Sequence, residues 1–277
     1  MAPSTKSGIE LNRQLPAYIL SEPDHEYHAK AREYLSSHQL SDFRKCPALY
    51  QKKKLGLVAE KDRPAFKLGR AAHTLVLEGA ERFEAEYAVG GPVNPRTGKR
   101  FGVASDAYKD WAAAQGKPVL TEEQADELRQ LAASVRAHSR ASRLIADGIP
   151  EGVVRTEYCG VQCQIRMDYF NSDAGIIDLK TCDDLSYFES DARRYSYLHQ
   201  LAFYQAVFAT VSGERMPVHF IAVEKTEPYR CGVWLIADTA LDFARTENEA
   251  AIQRLKQCVA ADTWPTGYEE TRVFDSI

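Results

Sequence analysis

The stretch VQCQIRMDYFNSDAGIIDLK, residues 161–180, decides the fold because it contains two strand patterns separated by a turn. Its first pattern alternates apolar and polar residues from residue 161 to residue 168, which is typical of a half-buried strand. The turn-forming residues 171–175 follow, and a second short strand is predicted over residues 176–181. The stretch therefore predicts a β-hairpin.

The predicted hairpin brings acidic and basic side chains to one point. Side chains two residues apart share a strand face, so Asp178 and Lys180 project together. If the hairpin is centred on Asp173, Asp168 lies across from Asp178, with their Cβ atoms roughly 5 Å apart. Two carboxylates at that distance repel each other unless a cation lies between them. The pattern indicates a divalent-metal site with a lysine beside it, although Asp and Lys on an exposed strand face also form ordinary surface ion pairs.

Composition and charge are those of an ordinary globular protein. The chain has 277 residues, with 35 Lys and Arg against 39 Asp and Glu, and a formal net charge of -4. No stretch approaches ~20 consecutive apolar residues and the N-terminus lacks an apolar signal core, so we expect a cytoplasmic protein with no membrane partner. Because the net charge is negative, any surface that binds nucleic acid must be a local basic patch. The six cysteines show no C-x-x-C pair or zinc-type spacing and are expected to be reduced.

The polar, proline-punctuated residues 1–33 are predicted to form an irregular N-terminal arm, and residues 34–277 a single domain. A short helix is expected from residue 36 onward, and it ends at a run of lysines. This run could simply be the solvated end of the helix, where lysines complement the helix dipole. Residues 90–105 form a Gly/Pro-rich loop with its own basic residues. The two basic clusters are Lys52, Lys53 and Lys54 at the helix end, and Arg96, Lys99 and Arg100 in the loop.

Two helices are predicted between the arm and the hairpin. The first, at about residues 64–80, has a stripe of Phe66, Gly69, His73 and Val76 or Leu77. Gly69 would let this helix approach a neighbouring backbone closely. A lone histidine on an apolar stripe is usually a hydrogen-bonded core residue, and a ligand role is the alternative. The second helix opens with a capping box at residues 121–124 and runs to about Ala146.

The chain after the hairpin predicts a helix, two strands and a final helix. The helix over residues 197–211 has an apolar stripe that begins with Gln200 and includes Tyr204, where Gln200 could simply mark the end of the core. Strands follow at about residues 218–224 and 232–237, and a last helix spans about residues 239–259.

These residues resemble the PD-(D/E)XK nucleases, and within them the RecB-like exonucleases, most closely the exonuclease VIII (RecE) type of phages and prophages. The matching segments occur in the family's order, and they are SDFRKCPALY (41–50), GRAAHTLVLE (69–78), IRMDYFNSDAGIIDLKT (165–181) and QLAFY (200–204). Two departures are Met167 in place of the proline and Asp178 where many members have Glu. The resemblance implies an α/β (α+β) fold with a central mixed β-sheet flanked by helices and a helical N-terminal elaboration.

The resemblance also implies a metal site and roles for its residues. His73, Asp168, Asp178 and the backbone carbonyl of Leu179 would hold Mg²⁺ or Mn²⁺, for which oxygen ligands and a single imidazole are suitable. Lys180 would position or deprotonate the attacking water. Gln200 and Tyr204 would orient the site or the DNA backbone. Glu157, on the strand before the hairpin, is a weaker candidate for a supporting role beside the metal ligands.

The activity implied by the resemblance is that of a metal-dependent exodeoxyribonuclease. It would hydrolyse linear double-stranded DNA from an end, in the 5′-to-3′ direction, during phage-type homologous recombination. The implied partners are double-stranded DNA ends, a single-strand annealing protein and further copies of the chain in a ring-shaped homo-oligomer. The two basic clusters would contact DNA phosphates.

Three other functions are consistent with parts of the pattern. A RecB-like nuclease with an iron–sulfur cluster needs one early cysteine and a C-terminal trio, but only Cys231 and Cys258 lie late in the chain. A non-catalytic DNA-binding or scaffold module is opposed by the retention of every predicted ligand and of Lys180. A sequence-specific or structure-specific endonuclease is the third, and no added recognition domain is visible in the sequence.

Overall fold

The fold is a mixed five-stranded β-sheet packed between helices, as predicted. The computed structural model describes residues 16–58 and 64–273, apart from the side chains of residues 64–66. In chain order the α-helices are α1 (Asp24–Ala29), α2 (Ser37–Lys45), α3 (Pro47–Lys54), α4 (Pro64–His73), α5 (Ala80–Glu86), α6 (Asp106–Ala114), α7 (Glu122–Ala137), α8 (Ser139–Leu144), α9 (Phe188–Arg194), α10 (Tyr197–Ser212) and α11 (Asp238–Ala261). The strands are β1 (Ala88–Val89), β2 (Val119–Leu120), β3 (Ile149–Tyr158), β4 (Val161–Asn171), β5 (Gly175–Cys182), β6 (Val218–Glu224) and β7 (Cys231–Leu235).

The main sheet has the order β3-β4-β5-β6-β7, and β1 and β2 form a separate parallel pair. Its neighbouring strands are antiparallel except β5 and β6, which pair in parallel and are connected through α9 and α10. A parallel pair needs such a crossover because the chain must return to the same end of the sheet. The strand predicted over residues 218–224 has the observed bounds of β6.

The hairpin of β4 and β5 has the predicted register. Tyr169 pairs with Ile177 and Asn171 pairs with Gly175, so the hairpin is centred on Asp173. Asn171 stabilises the turn because its Oδ1 accepts hydrogen bonds from the N–H groups of Asp173 and Ala174, at 2.9 and 3.1 Å.

Each face of the sheet has its own hydrophobic core. The first core joins the sheet to α2, α10 and α11 through buried residues such as Phe43, Phe203 and Leu241. The second core joins it to α4, α7 and α8 through residues such as Ala72, Leu131 and Leu144. The apolar alternation of the strands requires two such layers because side chains leave a strand toward both faces.

Two predicted helices are each broken in two. The helix predicted from residue 36 is interrupted at Cys46, which is extended because Pro47 disfavours helical conformation in the residue before it. The helix predicted to reach Ala146 ends at Ala137, and His138 caps the next helix by accepting the N–H of Ala141 at its Nδ1 atom, at 3.1 Å. The capping box of Thr121 and Gln124 is confirmed.

The helix predicted over residues 64–80 changes its winding in the middle. It is α-helical to His73 and then π-helical over Thr74–Glu78, and Gly79 ends it with a φ of 98°. The predicted role of Gly69 is wrong, since no described atom of another element lies within 4 Å of where its Cβ would be. Gly69 instead lies beside a cleft. The predicted stripe position of Phe66 lies outside the described side chains.

The described part of the N-terminal arm is partly ordered against the sheet. It contains α1, and Leu20 forms a β-bridge with Val153 at the outer strand β3. Glu22 forms an ion pair with Arg155 of the same strand. Residues 1–15 of the predicted arm lie outside the described residues. Among the helices of the described ranges, none is both long and apolar enough to cross a membrane.

Candidate active site

A broad cleft of about 3200 Å³ contains most of the predicted site residues. Its lining includes His73 from α4, Asp168 and Lys180 from the sheet, and Gln200 and Tyr204 from α10. Pockets for small molecules usually have volumes of about 300–1,000 Å³. The cleft is therefore large enough for an extended substrate.

Asp168 lies where β4 changes the face it presents. Met167 and the alternate residues before it belong to the first core, whereas Tyr169 belongs to the second. The pairing of β4 with β5 begins at Tyr169, so Asp168 stands at the mouth of the gap between the two strands. Its Oδ2 atom accepts the backbone N–H of Leu179 across that gap at 2.9 Å. This hydrogen bond fixes the carboxylate between the two layers.

Asp178 and Lys180 form a buried ion pair on β5. The Nζ atom of Lys180 lies 2.6 Å from Oδ2 of Asp178, and the side chain of Asp178 is only 1% exposed. Burial raises the pKa of Asp178, against the opposing effect of Lys180. Burial lowers the pKa of Lys180, but Asp178 and Asp168 outweigh it and the net shift is upward. Lys180 is therefore charged at neutral pH when the carboxylates beside it are ionised.

His73 approaches the carboxylate of Asp168 from α4, which packs in the second core. Its Nδ1 atom lies 3.5 Å from Oδ2 of Asp168. Burial lowers the pKa of His73, while Asp168 and a hydrogen bond with the backbone of Leu179 act in the opposite direction. The imidazole is consequently neutral near pH 7, which is the form that binds metals. His73 is the last residue of α4 before the π-helical turn, a feature often found at functional sites.

Glu151 is an acidic member of the site that sequence reasoning missed. It is on β3 with a positive φ of 52°. One ligand atom each from His73, Glu151 and Asp168 lies within 4.8 Å of the others. Burial raises the pKa of Glu151 to about 8, Asp168 adds to the effect, and Arg166, whose Nε is 2.8 Å from Oε2, opposes it. Glu157, the predicted candidate on this strand, is exposed and does not line the cleft.

Gln200 and Tyr204 connect α10 to the cleft. The Nε2 atom of Gln200 donates to the hydroxyl of Tyr204 at 3.2 Å. Burial raises the pKa of Tyr204, with Asp168 adding to the shift, and hydrogen bonds with Gln200 and Ser37 oppose it. Tyr204 therefore stays protonated and remains a hydrogen-bond donor close to Asp168.

The two predicted basic clusters differ in their position relative to the cleft. Lys53 and Lys54 of α3 line the cleft, while Lys52 does not. Lys53 is paired with Asp42 at 2.7 Å, and Lys54 lies 5.9 Å from the ring centre of Tyr50. None of Arg96, Lys99 and Arg100 lines the cleft, and Arg100 is held by Glu122 at 2.6 Å.

The donor set of the site fits a hard divalent cation. Both carboxylate oxygens of Asp178 are buried without a hydrogen-bond partner among the described residues, although Oδ2 is ion-paired with Lys180. The cluster of His73, Glu151 and Asp168 adds two carboxylates and one imidazole. Mg²⁺ and Mn²⁺ accept these ligands. Asp178 is not a member of the close cluster, so the acids are arranged on two sides of the gap between β4 and β5.

Known proteins share this fold. No curated protein matches the chain in sequence. Among solved structures, the chain is similar to a crystal structure of a protein from Eubacterium rectale named "Putative exonuclease", with a TM-score of 0.67 and 15% identity over 93% of this chain and 96% of that chain. At that identity the similarity shows the fold alone. Residues 36–276 match the family described as "PDDEXK-like domain of unknown function (DUF3799)", and the chain belongs to that family.

Proposed function

We propose that this chain is a metal-dependent deoxyribonuclease that hydrolyses linear double-stranded DNA from an end. The proposal is carried by the buried pair of Asp178 and Lys180 next to the cluster of His73, Glu151 and Asp168. Burying the Asp178 carboxylate with an ion pair to Lys180 but no hydrogen-bond donor among the described residues costs stability, which favours a functional role for this arrangement. The family and the fold support a nuclease, and the size of the cleft supports a polymeric substrate.

Each residue of the site has a chemical task in this proposal. A bound Mg²⁺ or Mn²⁺ would polarise the scissile phosphate and lower the pKa of a coordinated water. His73, Asp168 and Glu151 would hold the cation, and Asp178 would provide a further carboxylate. The positively charged Lys180 orients the attacking water and stabilises negative charge on the phosphate. The water gives up a proton to solvent as its oxygen bonds to phosphorus, the bond to the leaving sugar oxygen breaks, and that oxygen takes up a proton from solvent.

Digestion of matched DNA substrates tests the proposal. Linear duplex, covalently closed circular duplex and single-stranded DNA are incubated with the protein in Mg²⁺, Mn²⁺ or EDTA, with Lys180→Ala as the control for contaminating nuclease. We expect loss of the linear duplex in Mg²⁺ or Mn²⁺, an intact circle, and no cleavage in EDTA. Cleavage of the closed circle would identify an endonuclease, and binding without cleavage in any metal would identify a non-catalytic module.

We further propose 5′-to-3′ polarity and a role in phage-type recombination with a single-strand annealing protein, in a ring-shaped homo-oligomer. The resemblance to exonuclease VIII in four segments supports this, as does the acidic total charge of -4 combined with lysines at the cleft. Light scattering would measure the oligomer, and duplexes labelled at the 5′ or 3′ end would give the polarity. A monomer would contradict the ring-shaped oligomer. Removal of the 3′ label first would contradict the 5′-to-3′ polarity.

A further inference from the structure

An exposed aromatic ring at the cleft is not explained by packing of the fold. Tyr195 is 53% exposed and lines the cleft together with Lys180 and Gln200. Its backbone N–H donates to the carbonyl of Asp191 at 2.8 Å, so its main chain is fixed at the end of α9. A tyrosine held in place with its ring open to a cleft can bind another flat group.

The ring of Tyr195 rests on a second, anchored ring. Its centre is 5.8 Å from that of Tyr197, with 32° between the ring planes, and Tyr197 packs in turn on Phe220 of β6 at 6.2 Å. Ser196, between the two tyrosines, is left-handed with a φ of 60° and a ψ of 34°, an uncommon conformation for a residue other than glycine. This turn keeps the two rings within contact of one another, and the guanidinium of Arg194 lies 5.6 Å from the centre of the Tyr195 ring.

The pair of rings leads directly to the candidate catalytic lysine. The Nζ atom of Lys180 lies 4.9 Å from the ring centre of Tyr197 and 2.6 Å from Oδ2 of Asp178. Tyr195 is thus separated from Lys180 by a single aromatic ring. A nucleotide whose phosphate is at Lys180 would have its own base, or that of its neighbour, within reach of Tyr195.

We propose that Tyr195 is a stacking site for an unpaired base next to the scissile phosphate. The inference rests on the proposed function because it takes DNA as the ligand. Inside a duplex both faces of a base are covered by its neighbours, so a protein ring can stack only on a base at an end or on one that has left the stack. Stacking on tyrosine is tolerant of sequence, since every base has a flat face. The enzyme would therefore separate the terminal base from its partner before cleavage, without selecting its identity.

A thermodynamic cycle between protein ring and DNA base tests this inference. Fluorescence anisotropy in EDTA measures the affinity for single-stranded oligonucleotides that carry one abasic site, placed at each position from the end in turn. The proteins compared are the unmodified chain, Tyr195→Ala, Tyr195→Phe, and Tyr187→Ala as the matched control. Tyr187 is 66% exposed and close in sequence but does not line the cleft.

We expect the unmodified chain to lose about 10-fold in affinity when the abasic site is at one particular position. Tyr195→Ala should show no such loss, whereas Tyr195→Phe and Tyr187→Ala should retain it. A loss of equal size in Tyr195→Ala, or absence of any position-dependent loss in the unmodified chain, would overturn the stacking site. Because binding is measured without metal, a Tyr195-dependent loss in a protein that cleaves no DNA would refute the proposed function alone, and normal cleavage with no such loss would refute the stacking site alone.

Discussion

Asp168 contacts both β5 and α4 in the candidate site because β4 changes the face it presents at this residue. Its Oδ2 atom accepts the N–H of Leu179 and lies 3.5 Å from His73. The hairpin register, derived from the turn around Asp173, correctly predicted the pairing of β4 with β5 from Asn171 back to Tyr169, one residue short of Asp168. The same reasoning applied to the Cys159–Gly160 turn would have placed Glu151 across from Asp168, because β3 and β4 keep one register on both sides of these residues. The signal for Glu151 was therefore present in the sequence, but its positive φ was not.

A substitution at Glu151 tests whether this acid binds the metal. Glu151→Gln removes the carboxyl group that would ionise on metal binding, with little change in volume, so we expect Mn²⁺ affinity, measured by calorimetry, to fall about 10-fold or more and nuclease activity to fall with it. Glu157→Gln is the matched control because Glu157 lies on the same strand but is exposed and away from the cleft. Equal effects of the two substitutions would remove Glu151 from the site.

Lys180 should affect turnover more than metal binding. Its Nζ atom lies 2.6 Å from Asp178 and can orient water, whereas a charged lysine cannot bind a cation. We expect Lys180→Ala to lower kcat by about 10²-fold or more and to leave metal affinity within a few-fold of the unmodified value. Lys225→Ala is the control, since Lys225 also lines the cleft but is paired with Asp183. Loss of metal binding in Lys180→Ala would indicate that Lys180 has a structural role in the site.

The helices show which element boundaries a sequence can predict. The bounds of α10 and β6 were nearly those expected because a long apolar pattern determines each of them. The break at Cys46 follows from Pro47 and could have been foreseen. The break at His138 and the π-helical turn after His73 depend on a side-chain cap and on tertiary packing, and neither has a local sequence signal.

The two basic elements should differ in DNA binding although both were predicted to contact phosphates. Lys53 and Lys54 of α3 line the cleft, and the loop residues Arg96 and Lys99 do not. Replacing Lys53 and Lys54 by Gln should weaken binding and reduce the slope of log K against log salt by about one unit for each phosphate that is no longer neutralised. The double substitution of Arg96 and Lys99 by Gln removes the same charge and is the matched comparison. A larger change in slope for the loop variant would assign the phosphate contacts to the loop.

At the scale of the whole molecule, the site lies between two cores that pack against opposite faces of one sheet. His73 is on a helix of the second core, while Gln200 and Tyr204 are on a helix of the first. The residues meet only because β4 and β5 separate at Asp168. Single-sequence patterns identify each element and its apolar face, but the gap between the strands depends on how both layers pack. The geometry of the candidate metal ligands therefore could not be derived in full from the sequence.

Because the site concentrates buried carboxylates, it should link global stability to pH and metal. The pKa of Glu151 is raised to about 8 in the folded protein, against an ordinary value of about 4.3. The folded state consequently binds the proton more tightly than the unfolded state, so this contribution to stability is complete below about pH 4 and is lost as pH rises through about 8. Asp178 has a shift of the same sign. His73 does not contribute above pH 7, since its pKa is lowered from 6.5.

We therefore expect the protein in EDTA to lose about 1 kcal/mol of stability through Glu151 between pH 7 and pH 8.5, or about 2–4 °C in Tm for a domain of this size. Scanning fluorimetry of the unmodified chain and Glu151→Gln at both pH values isolates that loss, because the buried cysteines and Lys180 are common to the two proteins. Saturating Mn²⁺ should reverse the trend in the unmodified chain, since the cation binds the ionised carboxylates and stabilises the folded state more at the higher pH. If Glu151→Gln shows the same fall in Tm as the unmodified chain, and Mn²⁺ raises neither, the carboxylates of this cleft do not form a metal site.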